Sequence, residues 1–351
     1  MGFRVLLAWG AVLAFGSLLP SSTRADAQSS YDVCVSAYES QDWDSVLDNC
    51  KRAIESGQLA DPDVVDALMR HCWARKEKGQ LEQALEDCDE AVRRDPNHAV
   101  AYNVRGSVYR KMGEYDRAIE DLDHALRLNP NFPFAYNNRG NAYVDKGEYD
   151  RALEDFNEAL RLDPEYASAY NNRGDAYERK GDYARAIQDY TQALSLNPDF
   201  AIAYNNRGNV HFYMGSFAQA VQDIEAAVDR GIGGPYPFLW LFLARERAGL
   251  DGAKTLEVLV PEPDMDTWPG PIISYFQRKL SKAELQDMVE GSGSKLKARK
   301  VCEYNYFVGE AELLDGQAVS ARAMLEQAVA SCAPTAIEFY GAKAELARLP
   351  Q

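Results

Sequence analysis

A 34-residue repetition constrains this chain more than any other feature of its sequence. The segment that begins at Ala135, AYNNRGNAYVDKGEYDRALEDF, recurs from Ala169 as AYNNRGDAYERKGDYARAIQDY. Small residues at a fixed spacing allow two antiparallel helices to approach closely, and a proline ends a helix because its ring cannot continue it. The repetition therefore predicts a stack of helical hairpins.

Small residues mark the register of this period. When copies are counted from 99, 133, 167 and 201, position 8 is always glycine, and positions 20 and 27 are always alanine. The position 8 residues are Gly106, Gly140, Gly174 and Gly208. This register resembles the tetratricopeptide repeat (TPR) family. The resemblance implies an all-α fold, a right-handed TPR α-solenoid of antiparallel helix pairs with a helical C-terminal extension and a capping helix.

The register divides the chain into segments. A degenerate TPR is predicted at 28–64, and a C-terminal TPR at 302–335. Between them lie five regular repeats, predicted at 65–98, 99–132, 133–166, 167–200 and 201–234. The segment 235–301 is predicted to be a non-repeat helical linker region, and 336–351 a capping helix.

Inside the linker region, apolar periodicity predicts helices at 238–248 and 272–288. Four prolines between 261 and 271 predict a loop, because proline disrupts a regular helix interior. We therefore expect this region to be helical but not to contain TPR repeats.

The N-terminus has the composition of an export signal. Arg4 precedes an apolar run from 5 to 19, and Ala25-Asp26-Ala27 offers a cleavage site. We expect 1–27 to be a cleaved signal peptide and the mature protein to be soluble and exported, periplasmic if the source is bacterial. A membrane anchor is the alternative, but about 15 apolar residues fall short of the roughly 20 that span a bilayer. No cysteine near the cleavage site could carry a lipid anchor.

All six cysteines lie in the predicted mature part. In an antiparallel hairpin, two residues lie opposite each other when the numbers of their positions in the repeat add up to a fixed value. The positions of three cysteine pairs add up to the same value. We predict three disulfides, each contributing about 3 kcal/mol. The alternative is six free thiols at small-residue positions. The predicted pairs are Cys34 with Cys50, Cys72 with Cys88, and Cys302 with Cys332.

An arginine recurs at position 7 and an aspartate at position 23, nearly level across each hairpin. We interpret them as a structural ladder of partly buried pairs with bidentate hydrogen bonds, rather than as ligand-binding groups. The pairs are Arg105 with Asp121, Arg139 with Asp155, Arg173 with Asp189, and Arg207 with Asp223.

Polar residues recur where the first helix of each repeat should line a concave groove. Amide side chains both donate and accept, so rows of them can pair with an extended peptide of any sequence. The alternative is that some only satisfy helix ends and solvent. Positions 5 and 6 carry no Lys or Arg across 133–234, which disfavours a clamp for a C-terminal carboxylate. The candidate groove residues are Asn137, Asn138, Asn141, Asn171, Asn172, Asp175, Asn205, Asn206 and Asn209.

Charge and motifs exclude several functions. The net charge is −16, so a nucleic-acid partner or direct membrane binding is not expected. The sequence shows no nucleophile elbow, phosphate loop or zinc-ligand spacing, and it predicts no enzyme, no cofactor and no metal. A hydrolase site near 262–268 would have no mechanism that we can name.

The C-terminal third contains PFLWLFLARERAG, TWPGPIISYF and IEFYGAKAELARL. These segments resemble the NlpI-like exported TPR adaptor proteins of bacteria. The resemblance implies a homodimeric periplasmic adaptor that presents cell-wall hydrolases to a processing protease, or gathers such hydrolases with the synthesis machinery. We therefore expect an adaptor that binds an extended client segment in a groove built from 99–234. The alternative is a self-associating envelope scaffold that captures no peptide.

Overall fold

The structure, a computed structural model, describes residues 23–334 and 336–350. All regular elements of those ranges are α-helices, which confirms the predicted all-α class. Most of the predicted export signal, including its apolar run, lies outside the described residues. Ala25, Asp26 and Ala27 lie in the first helix, and Thr23 caps that helix. Among the described helices, none combines the length and the apolar character needed to cross a bilayer.

The chain divides into two compact units, with the boundary in the sequence after Leu128. The described part of the first unit contains three helical hairpins. The second helix of each hairpin buries alanine on one side, and those of the first two hairpins also bury a cysteine. Its helices are α1 (Arg24–Glu39), α2 (Trp43–Glu55), α3 (Asp61–Glu77), α4 (Leu81–Arg94), α5 (Ala99–Lys111) and α6 (Tyr115–Leu128).

The second unit begins with three hairpins of the regular repeat. They are built from α7 (Pro133–Asp145), α8 (Tyr149–Leu162), α9 (Ala167–Arg179), α10 (Tyr183–Leu196), α11 (Ala201–Tyr213) and α12 (Phe217–Asp229). The helices that follow are α13 (Pro235–Arg247), α14 (Ala253–Leu259), α15 (Gly270–Phe276), α16 (Lys282–Glu290), α17 (Ser294–Leu314), α18 (Ala318–Ser331) and α19 (Ile337–Arg348).

The hairpins of the repeats that begin at 99, 133, 167 and 201 are tight because each contains two glycines, at positions 8 and 15. A Cβ atom on Gly174 would lie 2.8 Å from Cε1 of Tyr190, so α9 and α10 touch through the glycine backbone. Gly181 turns the chain between them at φ +78°, in the left-handed region that glycine adopts without a steric penalty. The small residues of the sequence pattern therefore sit where the helices are closest.

The predicted continuous helix over 272–288 is wrong, because the chain breaks between α15 and α16. Arg278 has a φ of +58° in this break. Ser281 then starts α16 with a capping box, in which its side chain accepts from the Glu284 amide and the Glu284 carboxylate accepts from the Ser281 amide. This Ser-x-x-Glu signal was present in the sequence and marks a new helix start. The loop predicted over 261–271 is observed as residues 260–269, between α14 and α15, and Pro271 lies in the first turn of α15.

The last helix does more than cover the last hairpin. The Tyr340 hydroxyl of α19 donates to the backbone oxygen of Arg179 in α9, at 3.4 Å. Arg348 of α19 donates from Nη1 to the backbone oxygen of Tyr213 in α11, at 2.6 Å. The chain therefore returns at its end to the first helices of two regular repeats, over a core that contains Trp240.

Candidate peptide-binding face

Each predicted ladder pair meets inside its hairpin through two parallel hydrogen bonds. Arg173 donates from Nε to Oδ2 of Asp189 at 2.8 Å and from Nη2 to Oδ1 at 2.7 Å. Such a bidentate geometry fixes both the distance and the orientation of the two groups. The same pair of bonds joins Arg105 to Asp121, Arg139 to Asp155, and Arg207 to Asp223.

The ladder arginines also reach the preceding repeat, which the sequence reasoning missed. Arg173 donates from Nη1 to Oδ1 of Asn157 at 2.7 Å, and Arg207 donates from Nη1 to Oγ1 of Thr191 at 3.0 Å. In the first unit, Arg105 does the same to Asp89 at 2.8 Å. The recurrence of a polar residue at position 25 was the signal for this second contact.

The repeat at 65–98 replaces the arginine by a histidine. His71 places Nδ1 2.8 Å from Oδ2 of Asp87, and Arg75 donates to the same oxygen at 2.8 Å. The position 23 carboxylate therefore keeps a basic partner although the position 7 residue has changed.

The six cysteines lie in the three predicted pairs, all at disulfide distance. Cys34 with Cys50 and Cys72 with Cys88 each join the two helices of one hairpin. Cys302 with Cys332 joins α17 to the end of α18. Paired cysteines of this kind are typical of an oxidising compartment.

Four of the predicted groove asparagines form one continuous hydrogen-bonded chain. Asn206 donates to Asn171 at 3.2 Å, Asn171 donates to Asn172 at 3.3 Å, and Asn172 donates to Asn137 at 3.0 Å. Asn137 and Asn171 are buried. These amides therefore join successive repeats, which is a structural role that neither the groove hypothesis nor its alternative included.

Three other asparagines of the set form no side-chain hydrogen bond within residues 23–334 and 336–350. Asn141 and Asn205 are half-buried, and Asn209 is buried. Oδ1 of Asn205 and Oδ1 of Asn209 are buried acceptors without a partner there. Buried polar groups normally have a hydrogen-bond partner, so these amides are candidates for contact with a ligand. Two members of the set remain. Asp175 is bound by Arg179 of its own helix at 2.9 Å, and Asn138 is half-buried in α7.

Exposed apolar side chains lie on the same face. Phe134 is 50% exposed and Ile202 is 53% exposed, both at position 2 of their repeats. Positions 2, 5 and 9 follow the helical spacing of three and four residues and share one side of a helix. α7 and α11 therefore present an apolar side chain together with unpartnered amides.

The C-terminal ends of α9 and α11 are covered by other side chains. Glu178 of α9 is buried and accepts a hydrogen bond from the Tyr190 hydroxyl at 2.7 Å. Burial, together with the neighbouring Asp175 carboxylate, raises the pKa of Glu178 to about 8. α19 contacts the last residues of α9 and α11, so the open part of the face is restricted to positions 2, 5, 6 and 9.

Within the described ranges, no group of three His, Cys, Asp or Glu side chains is placed to hold a metal ion. The face described above has no nucleophile and base in contact. Its chemistry consists of amide hydrogen bonding and apolar contact.

Stacked antiparallel hairpins with small residues at every close approach define a helical-repeat protein. Family models described as TPR repeat match residues 106–147 and 140–181. Models described as tetratricopeptide repeat match 88–120, 167–200 and 201–230. Residues 88–230 are therefore tetratricopeptide repeats, which are protein-binding modules and are typically non-catalytic. No curated protein sequence matches the chain.

Solved structures support the same fold. The type IV pilus biogenesis factor PilW is 19% identical with a TM-score of 0.52, over 57% of this chain and 96% of PilW. PilF of Pseudomonas aeruginosa is 20% identical with a TM-score of 0.50, over 63% of this chain and 99% of PilF. A tetratricopeptide repeat protein of Parabacteroides merdae is 21% identical with a TM-score of 0.50, and the match covers 72% of this chain and 97% of the Parabacteroides chain.

Proposed function

We propose that this protein is an adaptor that binds an extended segment of a client protein along α7, α9 and α11. The observation that carries the proposal is the set of amides on Asn141, Asn205 and Asn209 that form no side-chain hydrogen bond within the described chain. An extended peptide offers alternating backbone donors and acceptors, and an amide side chain can pair with either.

Apolar contact would supply affinity beside these hydrogen bonds. Phe134 and Ile202 are exposed on the same side, and a client side chain that covers them removes apolar surface from water. We therefore infer a client segment with apolar side chains at intervals and no requirement for a terminal carboxylate.

We further propose that the protein acts after export, in the periplasm if its source is bacterial. The three cysteine pairs favour an oxidising compartment. The resemblance of the C-terminal third to NlpI-like adaptors suggests a homodimer whose partners are cell-wall hydrolases and a processing protease. No catalytic activity, cofactor or nucleic-acid partner is part of this proposal.

The test is a selection of random displayed peptides on the immobilised full chain, followed by affinity measurements on the enriched peptides. We expect the double variant N205A/N209A and the single variant I202A each to weaken binding severalfold. The matched control is Gln192→Ala, an exposed amide on the second helix of its hairpin, which should bind as the unaltered chain does.

Asn172 and Asn206 are poor test positions, because they also join the repeats. If no peptide is enriched, or if enriched peptides bind the folded variants with unchanged affinity, the face does not bind clients. In that case sedimentation of the full chain at micromolar concentration would test the self-associating scaffold instead.

A further inference from the structure

A cavity of about 820 Å³ lies in the C-terminal part of the second unit, and it shares no lining residue with the peptide-binding face. Its wall contains the Cys302 and Cys332 pair, Ala298, Ala336 and Ile337, so most of the lining is apolar. Cavities of this size commonly hold a small organic ligand when a few polar groups converge in them. Two buried carboxylates, from Glu303 and Glu338, are the converging groups here.

Glu303 is fully engaged by its neighbours. It is 2% exposed and accepts from the Tyr236 hydroxyl at 2.8 Å, from Nε1 of Trp268 at 2.7 Å and from Nε of Arg299 at 2.6 Å. Arg299 therefore compensates the charge of this carboxylate, and aromatic donors fix its orientation.

Glu338 has no such partners. It is 5% exposed and lines the same cavity, yet its carboxylate forms no hydrogen bond or ion pair with another side chain of the described residues. Burial, with the nearby Glu303 carboxylate as the second cause, raises the pKa of Glu338 to about 7. Its own backbone amide and the charge of Arg299 offset this effect only in part. A buried carboxylate without an ion-pair partner is costly to the fold, and a bound cation would lower that cost.

We propose that this cavity binds a primary ammonium group carried on an apolar stem, with Glu338 as its counter-ion. The stem would lie against the alanines, Ile337 and the sulfur atoms, as lysine stems lie on apolar surface elsewhere. A primary ammonium group on an apolar stem occurs both in a free alkyl diamine and in a lysine side chain of a partner protein. The proposal is independent of the peptide-binding face.

The experiment is isothermal titration of the full chain at physiological ionic strength. The probes are cadaverine, the peptide acetyl-Ala-Lys-Ala-amide and its norleucine counterpart, which keeps the apolar stem and lacks the charge. We expect cadaverine or the lysine peptide to bind, and the norleucine peptide to bind about tenfold more weakly or not at all.

Two variants test whether binding depends on Glu338 or only on the acidic charge of the whole chain. Glu338→Gln should weaken binding of the cationic probe about tenfold, because the neutral amide keeps the shape and removes the counter-charge. Glu257→Gln removes the same charge from an exposed position outside the cavity and should leave binding unchanged. Thermal unfolding of both variants verifies that they fold.

The two sources give different outcomes. Binding of the lysine peptide with an affinity equal to or above that of cadaverine identifies a protein side chain as the occupant, and binding of cadaverine alone identifies a free amine. Equal binding of the lysine and norleucine peptides, unchanged binding by the folded E338Q variant, or no cationic binding up to about 10 mM would overturn the proposal.

Discussion

Asn206 donates a hydrogen bond from Nδ2 to Oδ1 of Asn171, 35 residues earlier and one repeat away, at 3.2 Å. Asn172 makes the same bond to Asn137 at 3.0 Å. The amide at position 6 of a repeat therefore holds the amide at position 5 of the preceding repeat. This link makes part of the asparagine row a determinant of how repeats stack.

We expect Asn206→Ala to lower the free energy of unfolding by about 1–2 kcal/mol. The substitution leaves Oδ1 of the buried Asn171 without its donor, and an unpaired buried acceptor carries its full desolvation cost. Urea unfolding measures the change. Asn209→Ala is the control: it removes an amide whose Oδ1 has no partner among described residues, and it should cost less. Equal losses in the two variants would refute a stacking role for the link.

The ladder provides a second test. Asp189→Ala should cost about 3 kcal/mol, because it leaves the partly buried Arg173 guanidinium without its bidentate partner. The double variant R173M/D189L removes both charges and should recover part of the loss. The measurement is the urea midpoint of the three proteins together with their helical content.

An exposed ion pair serves as the control for the ladder. Arg161 pairs with Glu158 in the same helix, with side chains 63% and 33% exposed. Glu158→Ala should cost no more than about 0.5 kcal/mol, because water solvates both groups when the pair is broken. A loss as large as that of Asp189→Ala would contradict the assignment of a special structural role to the ladder.

Thiol labelling tests the cysteine pairs. The denatured and unreduced protein should contain no reactive thiol, whereas six modified cysteines would contradict the pairing. Removing the pair by Cys72→Ala and Cys88→Ala should destabilise the protein by about 3 kcal/mol through the freedom returned to the unfolded chain. The same change at Cys302 and Cys332 should cost slightly more, because the enclosed sequence separation is 30 rather than 16.

Buried glutamates predict a pH dependence of stability. Burial, then the Glu345 carboxylate, raises the pKa of Glu310 to about 8, against the opposing charges of Arg247 and Arg348. The folded state therefore holds this proton more tightly than the unfolded state, whose glutamate titrates at about 4.3. The contribution is fully present below the unfolded pKa and is lost as the pH rises through the folded value.

Melting curves between pH 5 and 8 examine this prediction. The Tm of the unaltered protein should fall by several degrees over that interval, and Glu310→Gln should show a flatter profile because one titrating group is gone. A profile that rises over the interval, or one that the variant leaves unchanged, would contradict the role of Glu310.

Contacts inside one hairpin could be predicted from the sequence because the repeat register fixes them. The ladder pairs and the first two cysteine pairs are each separated by 16 residues, so the two helices of one hairpin place them level with each other. The helix break before α16 could also have been predicted from the capping-box residues Ser281 and Glu284. The apolar periodicity over 272–288 instead favoured one continuous helix.

The sequence by itself determined the helical class, the hairpin and the residues that face each other within it, because these depend on local spacing. Only the tertiary structure decided which asparagines join repeats and which keep free amides, since that depends on how one hairpin is rotated against the next. It also decided the return of Tyr340 to Arg179, 161 residues earlier, and the meeting of Glu303 with Glu338 in one cavity. These contacts depend on where the non-repeat helices position α19, and no local sequence pattern specifies that position.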